Sequence, residues 1–333
     1  MPATYLISRT DSIGDVVLTL PVCGYLKEVD PACRIVFLCK RYTAPVVSCC
    51  VHVDEVLIWD DIDTLPKAEA IQRIKELHID TVIHVFPNRK VATLCKQAGI
   101  KVRVGTSHRW WHWFTCNKLV NYSRRNSPLH EAQLNLKLIE YITKVSVYPL
   151  HDVAVHTGFS KIPALDAEWK NLLATDKVNV ILHPKSQGNG REWPMEHYAQ
   201  LTHLMPESRF RFFISGTDKE KVFIDALQKQ CAGDVINIAG KMSLTQFIAF
   251  IAQADALVAS GTGPLHIAAA SGIYAIGIFP PIRPIHPGRW APLGKHVQVM
   301  CSAEPCNDCK DGSACHCVQS IQASAIAAYL QSI

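Results

Sequence analysis

The feature that most constrains this chain is its alternation of short apolar segments with longer segments of helical periodicity. Strands that are separated by helices pair in parallel, and the helices cover the faces of the sheet. The alternation therefore predicts an α/β fold with parallel sheets. The expected strands lie near residues 4–8, 34–39, 55–58, 80–85, 102–104, 178–183, 209–215, 235–238, 256–260 and 274–279. The expected helices lie near 15–28, 66–77, 89–98, 129–146, 194–205, 218–231, 243–253 and 262–271.

The alternation is interrupted between His151 and Asp176, where the sequence lacks a clear period and contains Pro163. A length of 333 residues suits two domains better than one. We therefore predict an N-terminal domain over 1–160 and a C-terminal domain over 161–318. A final helix within 319–333 is expected to pack back on the N-terminal domain.

The segment Ser260–Ala270 has the pattern of a phosphate-binding turn. An apolar strand runs into a turn that contains two glycines, and a helix begins at once. Free N–H groups at the start of a helix attract anions, and glycine lets a ligand approach the backbone closely. Thr262, Gly263 and His266 are therefore candidate ligands of an anionic donor. The alternative is an ordinary strand-to-helix connection in which Thr262 only caps the helix.

A second turn of this kind follows the first strand, but it carries carboxylates. Polar residues from Arg9 to Asp15 connect that strand to a helix that Pro21 should kink or break. Asp15 is the candidate base, with Asp11 as a rival or an acceptor-binding residue, and Gly14 is a candidate donor contact. One half of the chain would then hold an anionic donor, and the other would supply a base.

The loop after the strand near 178–183 combines glycines with two cations. Lys185 and Arg191 could clamp a diphosphate, and Ser186 could bind the same donor. Such a clamp could neutralise a leaving group without a metal, so no catalytic cofactor is expected. The alternative is a solvated basic loop.

Two further turns in the same half could bind a nucleoside. Gly216 lies in a strand-to-helix turn, and Glu220 follows where a carboxylate often binds a ribose hydroxyl. A first-turn glutamate favoured by the helix dipole explains Glu220 equally well. Met242 could contact an adenine ring, although packing is the simpler explanation.

An aromatic and basic cluster occupies residues 108–114. Arg109 and Trp110 are candidate contacts for a sugar-lipid acceptor, and the cluster also suits a membrane interface. A place in the hydrophobic core is the alternative.

Four cysteines near the C-terminal end are closely spaced, with Cys306, Cys309, Cys315 and Cys317 in the pattern C-x2-C-x5-C-x-C. This is enough ligands for a small structural zinc or iron site, although the spacing matches no standard finger. The alternative is a loop of free thiols.

Composition sets the remaining limits. A net charge of +5 is mild, and no basic run has the footprint of a nucleic-acid site. Charged residues interrupt the first apolar segment, and no apolar stretch is long enough to span a bilayer. These features favour a cytoplasmic protein that binds anionic small molecules and contacts an anionic membrane at most at its surface.

Three motifs together resemble glycosyltransferase family 9, the lipopolysaccharide heptosyltransferases. The stretches Arg9–Pro21, His183–Pro194 and Thr262–Ala270 are similar to the family's motifs in order and spacing. The resemblance implies a GT-B fold of two Rossmann-like domains with the active site between them. It also implies inverting, metal-independent transfer of heptose from an ADP-sugar to a lipid-linked or oligosaccharide acceptor of the lipopolysaccharide inner core.

The resemblance also implies roles for individual residues. Asp15 would be the base, Arg191 would bind the diphosphate, and Glu220 would bind the ribose. Thr262, Gly263 and His266 would complete the donor site. One position departs from the family pattern, because well-known members carry Asp before the Thr-Gly pair and this chain has Gly261.

Gly261 keeps open a transferase of the same fold that uses a different nucleotide-sugar or a protein acceptor. Two other functions are separate alternatives. The chain could bind a nucleotide-sugar without turnover, although Asp15 argues against that, or act as an epimerase that needs no acceptor.

Overall fold

The computed structural model describes residues 2–124, 127–186, 190–303 and 316–333. The chain forms two compact units, Met1–Lys161 and Ile162–Ile333. Each unit contains one six-stranded sheet in which every pair of neighbouring strands is parallel. The predicted α/β class with two parallel sheets is confirmed.

The first unit has the strand order β3-β2-β1-β4-β5-β6. Its strands are β1 (Thr4–Ser8), β2 (Arg34–Cys39), β3 (Glu55–Ile58), β4 (Thr81–His84), β5 (Val102–Thr106) and β6 (Lys118–Val120). Its helices are α1 (Ile13–Val17), α2 (Leu20–Val29), α3 (Ala44–Ser48), α4 (Trp59–Thr64), α5 (Lys67–Lys75), α6 (Arg89–Gln97), α7 (His112–Thr115), α8 (Glu131–Leu136), α9 (Glu140–Thr143) and α10 (Leu150–Val155). Short 3-10 turns cover Arg41–Thr43 and Lys137–Ile139.

The helix expected near 15–28 is divided in two, as Pro21 suggested. Helix α1 ends at Val17, and α2 begins at Leu20 with Pro21 in its first turn. Proline is tolerated there because the first N–H groups of a helix have no partner within it. The helix expected over 129–146 is likewise interrupted, by the 3-10 turn between α8 and α9.

The second unit has the strand order β12-β11-β10-β7-β8-β9. Its strands are β7 (Val178–His183), β8 (Phe210–Ile214), β9 (Val235–Asn237), β10 (Ala256–Ser260), β11 (Tyr274–Phe279) and β12 (Val297–Cys301). Its helices are α11 (Ala167–Lys170), α12 (Met195–His203), α13 (Lys221–Gln228), α14 (Leu244–Gln253), α15 (Gly263–Ala270), α16 (Pro287–Trp290), α17 (His316–Gln319) and α18 (Ala323–Gln331). A 3-10 turn covers Asp218–Glu220.

Helix α18 packs in the core of the second unit. Its buried residues Ile326 and Leu330 belong to the core of the second unit, together with Tyr198 and Leu201 of α12. The indole Nε1 of Trp193 also donates a hydrogen bond to the carbonyl of Ile321, at 2.8 Å. The helix therefore belongs to the core of the second unit, where it packs against α12. Its expected contact with the N-terminal domain stays a prediction.

Within the described ranges, no helix is long and apolar enough to cross a bilayer.

Candidate active site

The turn after β1 is organised around a buried arginine. Arg9 follows the last residue of β1, and only 3% of its side chain is exposed. Its guanidinium forms ion pairs with Asp11, at 2.7 Å, and with Asp15 in the first turn of α1. A third carboxylate, Glu131 of α8, lies 3.4 Å from the same guanidinium. Arg9 therefore holds both candidate bases of the sequence motif in place.

Helix α8 completes this network from the other end of the unit's sequence. The Asn135 side-chain oxygen accepts hydrogen bonds from Arg9 (3.2 Å) and from Arg124 (3.1 Å). Its amide donates to the carbonyl of Leu18, at the end of α1. Arg124 also pairs with the buried Glu131 at 2.9 Å. The sequence motif identified Asp11 and Asp15, but nothing in the sequence pointed to these partners on α8.

The environment of Asp15 raises its pKa to about 6. Burial is the largest cause because it disfavours the charged form, and the carboxylates of Asp11 and Glu131 add repulsion. Arg9 acts in the opposite direction and does not outweigh burial. The start of a helix by itself lowers the pKa of a carboxyl group, but burial has the larger effect on Asp15. A carboxylate with a pKa near 6 is well matched to general-base catalysis close to neutral pH.

In the second unit, the candidate donor residues gather where three neighbouring strands end. β10, β7 and β8 are adjacent and parallel, so the turns after Ser260, His183 and Ile214 lie at the same edge of the sheet. His183 Nδ1 lies 2.9 Å from the Ser215 hydroxyl, which donates to the carbonyl of Leu182. Ligands of parallel α/β sheets bind at this carboxyl edge.

The loop after β7 packs directly on the turn after β10. The Trp193 amide donates to the Ser260 hydroxyl at 3.3 Å. A Cβ at Gly190 would lie 3.3 Å from the carbonyl oxygen of Gly261, so glycine permits this close approach. The half-buried Arg191 thus lies between two residues that are fixed against the turn that carries Thr262.

Lys185 interacts with a carboxylate in the same loop. It forms an ion pair with Glu192, and its ammonium lies 4.9 Å from the centre of the Phe223 ring. Glu192 also accepts a hydrogen bond from the backbone N–H of Ser186, at 2.9 Å. The charge of Lys185 is therefore already balanced by Glu192.

The turn before α15 contains a buried polar side chain. Thr262 occupies the N-cap position of α15, yet its side chain makes no capping hydrogen bond. Its hydroxyl is buried and has no hydrogen-bond partner within the described residues. Gly263 begins the helix, and His266 is buried one turn later. An unsatisfied buried hydroxyl at a helix start fits a phosphate oxygen that accepts from it.

The two candidate nucleoside contacts have different surroundings. The Glu220 carboxylate accepts a hydrogen bond from the backbone N–H of Thr217 at 2.7 Å, so it caps the turn that begins at Asp218. Gly216 adjoins it, since a Cβ there would lie 3.0 Å from the same Glu220 oxygen. Met242 is half-buried in the loop between β9 and α14.

Phe279 occupies the space beside Gly261. A Cβ at position 261 would lie 2.8 Å from the ring of Phe279, which is fully buried at the end of β11. A Cβ at Gly277 would lie 2.6 Å from the same ring. The aromatic ring thus fills the volume that a larger residue at position 261 would need.

Three large aromatic side chains of the cluster are exposed, whereas His112 within it is buried. Trp110, Trp113 and Phe114 are 58%, 63% and 69% exposed. Trp110 packs against the guanidinium of Arg89, 4.8 Å from its ring centre, and the exposed Arg109 lies over Trp111. These contacts do not join Arg109 or Trp110 to the network around Asp15.

Of the four closely spaced cysteines, Cys306, Cys309 and Cys315 lie outside the described residues. Cys317 is buried in α17 and belongs to the core of the second unit. The described part of the chain contains no group of three or more His, Cys, Asp or Glu side chains arranged to hold a metal ion.

Comparison with known proteins decides the family. The family model described as glycosyltransferase family 9 (heptosyltransferase) matches residues 68–317, which is more than half of the chain. The chain belongs to glycosyltransferase family 9. The resemblance noted in the sequence motifs is therefore confirmed, and so is the assignment of the protein as a glycosyltransferase.

Curated relatives in the family cover most of the chain. A Haemophilus influenzae protein named only as a glycosyltransferase is 26% identical, covering 88% of this chain and 87% of its own length. A lipooligosaccharide heptosyltransferase 2 of Haemophilus ducreyi is 32% identical, over 80% of this chain and 79% of its own length. A lipopolysaccharide core heptosyltransferase of Haemophilus influenzae is 21% identical, over 90% of this chain and 85% of its own length.

Solved family 9 structures have the same fold. The family 9 glycosyltransferase of Veillonella parvula has a TM-score of 0.81 at 16% identity, covering 99% of this chain and 96% of its own. The ADP-heptose lipopolysaccharide heptosyltransferase II of Escherichia coli has a TM-score of 0.75 at 18% identity, covering 99% and 98%. The predicted GT-B class is confirmed at the level of the fold.

Proposed function

We propose that this glycosyltransferase moves heptose from ADP-heptose to a sugar of the lipopolysaccharide inner core, with inversion at the transferred carbon. The relatives named as heptosyltransferases support this donor and acceptor. The observation that carries the proposal is the half-buried Asp15 carboxylate, held by Arg9 and with its pKa raised to about 6. A transferase needs such a base for the acceptor hydroxyl, and a nucleotide-sugar-binding module does not.

The proposed reaction needs one proton transfer and one stabilised leaving group. Asp15 takes the proton of the acceptor hydroxyl as its oxygen bonds to the anomeric carbon of the donor. The bond from that carbon to the diphosphate breaks, and ADP leaves with the electron pair. Arg191, the Thr262 hydroxyl and the N–H groups at the start of α15 would stabilise the charge that develops on the diphosphate.

A different donor sugar is the second candidate, and Phe279 favours it. The ring fills the space beside Gly261, where well-known family members carry an aspartate. A donor whose sugar needs no carboxylate at this position would fit the site equally well.

We further propose that the exposed aromatic cluster contacts an anionic membrane surface. Tryptophan side chains favour the membrane interface, and the cations Arg89 and Arg109 beside them would attract anionic headgroups. Replacing Trp110 and Trp113 with Ser should abolish sedimentation with anionic vesicles. Val155→Ser, which changes another exposed apolar residue, should leave sedimentation intact.

The experiment that tests the transferase is product analysis by mass spectrometry. The protein is incubated with ADP-heptose or with a panel of ADP- and UDP-sugars, each with core oligosaccharide acceptors. Transfer of one heptose from ADP-heptose is expected. It should fall at least ~100-fold in Asp15→Asn, the usual scale for loss of a general base. Full activity in Asp15→Asn with loss in Asp11→Asn would assign the base to Asp11, and transfer only from another donor would refute ADP-heptose.

A further inference from the structure

The nitrogens of the Arg9 guanidinium have different partners. Its Nε donates to Asp11 at 2.7 Å, and its Nη2 donates to Asp15. Its Nη1 faces α8, where it lies 3.4 Å from the Glu131 carboxylate and 3.2 Å from the side-chain oxygen of Asn135. Because a guanidinium group is planar and rigid, fixing Nη1 on α8 also fixes the direction in which Nη2 points. Helix α8 therefore sets the orientation of the group that holds Asp15.

Helix α8 also holds the backbone of Asp15. The Asn135 amide donates to the carbonyl of Leu18 at 3.1 Å and to the Thr19 hydroxyl at 3.2 Å. That hydroxyl in turn donates to the carbonyl of Asp15 at 2.8 Å. Asn135 and Thr19 are both fully buried, so water does not compete for these bonds. The side chain and the backbone of Asp15 are thus connected to the same helix.

The charges of this cluster do not cancel while every carboxylate is ionised. Among the described residues, it contains two guanidinium groups and three carboxylates, namely Arg9, Arg124, Asp11, Asp15 and Glu131. The cluster therefore carries one excess negative charge, which one added proton would balance. Glu131 contacts both guanidinium groups, whereas Asp15 contacts only Arg9 within the described part of the chain. Asp15 is therefore the better placed of these two carboxylates to take that proton.

Two tyrosines face the same carboxylates without adding charge. Arg124 lies 5.2 Å from the ring centre of Tyr122, and burial raises the pKa of this phenol. The hydroxyl of Tyr42 donates to the carbonyl of Asp11 at 2.7 Å, and burial likewise raises the pKa of Tyr42. Both phenols are therefore neutral near pH 7. The carboxylates compete with one another for the guanidinium groups.

We infer that Glu131 is a positioning residue for the transfer reaction, which holds Arg9 from α8 and shares its positive charge with Asp15. The inference rests on the proposed function in naming Asp15 as the base. Glu131 is only 1% exposed, so it acts through Arg9 and not by contact with a substrate. Its carboxylate fixes the partner of Asp15 and, by competing for that partner, leaves Asp15 able to accept a proton.

The test begins with the pH dependence of kcat/KM. Glu131→Gln keeps the shape and an acceptor oxygen but removes a negative charge, so Asp15 gains a larger share of the charge of Arg9. The pKa of Asp15 should then fall. The rise of kcat/KM, which is expected through about pH 6 in wild type, should move about one pH unit lower. The rate above the rise should also fall several-fold, because a less basic carboxylate is a weaker general base.

Arg124→Gln should move the profile in the opposite direction. This change removes the second cation from Glu131, which then attracts Arg9 more strongly, so the pKa of Asp15 should rise. A change that merely loosened the fold would not shift the two profiles to opposite sides of wild type. Glu131→Asp, which retains the charge, should leave the rise of kcat/KM near pH 6.

A second measurement needs no turnover. The full-length protein is labelled with 13C at the aspartate carboxyl carbons, and the Asp15 signal is identified by its loss in Asp15→Asn. Its titration midpoint by NMR should lie near pH 6 in wild type, fall in Glu131→Gln and rise in Arg124→Gln. The matched control is Glu140→Gln, the same change in α9, where Glu140 pairs with Lys137 at 3.3 Å. The control should leave the midpoint unchanged.

An Asp15 midpoint that is the same in Glu131→Gln and wild type, or that moves equally in Glu140→Gln, would overturn the role of Glu131. Where Glu131→Gln does not fold, an unchanged midpoint in Arg124→Gln would overturn it. Failure of the proposed function has a different signature. The midpoints would then move as expected, while the pH dependence of transfer stayed the same in every variant or no transfer was detected.

Discussion

Arg9 and Asp15 form an ion pair that ties the end of β1 to the first turn of α1. Because Arg9 also pairs with Asp11 and Glu131, its single charge is shared among three carboxylates. Asp15 is therefore held in position without being fully stabilised in its ionised form. A carboxylate with these properties is fixed in orientation and still able to accept a proton near neutral pH.

The first prediction concerns the pH dependence of activity. Since the pKa of Asp15 is raised to about 6, mainly by burial, kcat/KM should rise with pH through about 6 and then level off. The rise should disappear from the residual activity of Asp15→Asn. A wild-type profile that is flat between pH 5 and 7 would contradict the assignment of Asp15 as the base.

The second prediction concerns stability, which should change with pH in the direction opposite to that of activity. A carboxyl whose pKa is higher in the folded than in the unfolded state binds its proton more tightly when folded. Its contribution to stability is present below pH 4 and is lost as the pH rises through about 6. Urea unfolding should show that Asp15→Asn gains stability relative to wild type over this interval, by at most about 3 kcal/mol. An advantage that shrinks between pH 4 and pH 7 would refute the pKa assignment.

The third prediction distinguishes the two cations of the loop after β7. Arg191→Ala should weaken ADP binding by roughly 1.5–3 kcal/mol, the scale of a hydrogen bond to a charged group. Lys185→Ala should have a smaller effect because Lys185 is paired with Glu192. Calorimetry with ADP measures both, and Lys229→Ala, at an exposed position after α13, serves as the control. Equal affinities for Arg191→Ala and wild type would remove Arg191 from the donor site.

The fourth prediction concerns Gly261 and Phe279. Gly261→Asp should lower the free energy of unfolding by about 1–3 kcal/mol, because its Cβ would overlap the buried Phe279 ring. The double variant Gly261→Asp/Phe279→Leu should lose less stability than the sum of the losses in the two single variants. Chemical denaturation of the four proteins in this cycle measures the coupling. Additive effects would show that the ring does not occupy the space that a residue at 261 needs.

The fifth prediction retains the metal site expected from the cysteine spacing. Protein purified under reducing conditions should contain one zinc or iron per chain by elemental analysis. Removing the metal should lower the melting temperature before it lowers the transfer rate, because a metal that binds only the folded state adds to stability. Protein without metal would refute the site. Immediate loss of activity on chelation, at an unchanged melting temperature, would instead refute metal-independent transfer.

Much of the sheet architecture could be predicted because its signals are local. The strand at Ala256–Ser260 and the helix that follows Thr262 are visible as an apolar run, two glycines and a new period. Two edge strands were missed. β6 is only three residues long, and β12 is half-buried with a polar Gln298, so neither shows the uniform apolar run of a central strand.

The network around Asp15 could be predicted only in part, because half of it is distant in sequence. Glu131 and Asn135 reach Arg9 across 122 and 126 residues. In a sequence, each is simply a polar residue in a helical segment. The raised pKa of Asp15 could not be predicted either, since the burial of a side chain in a polar turn depends on which distant residues pack against it. The exposure of Trp110 could not be predicted for the same reason.

The contact between α18 and α12 has a consequence for how the protein is made. The first unit has a core of its own, including Leu6, Val36 and Val82, and these residues are all synthesised early. The core of the second unit includes Leu330. Trp193, in the loop after β7, donates a hydrogen bond to the carbonyl of Ile321. The first unit can therefore fold during synthesis, before the residues that close the core of the second unit have been made. During that interval, the exposed face of α12 is the apolar surface that a chaperone would need to cover.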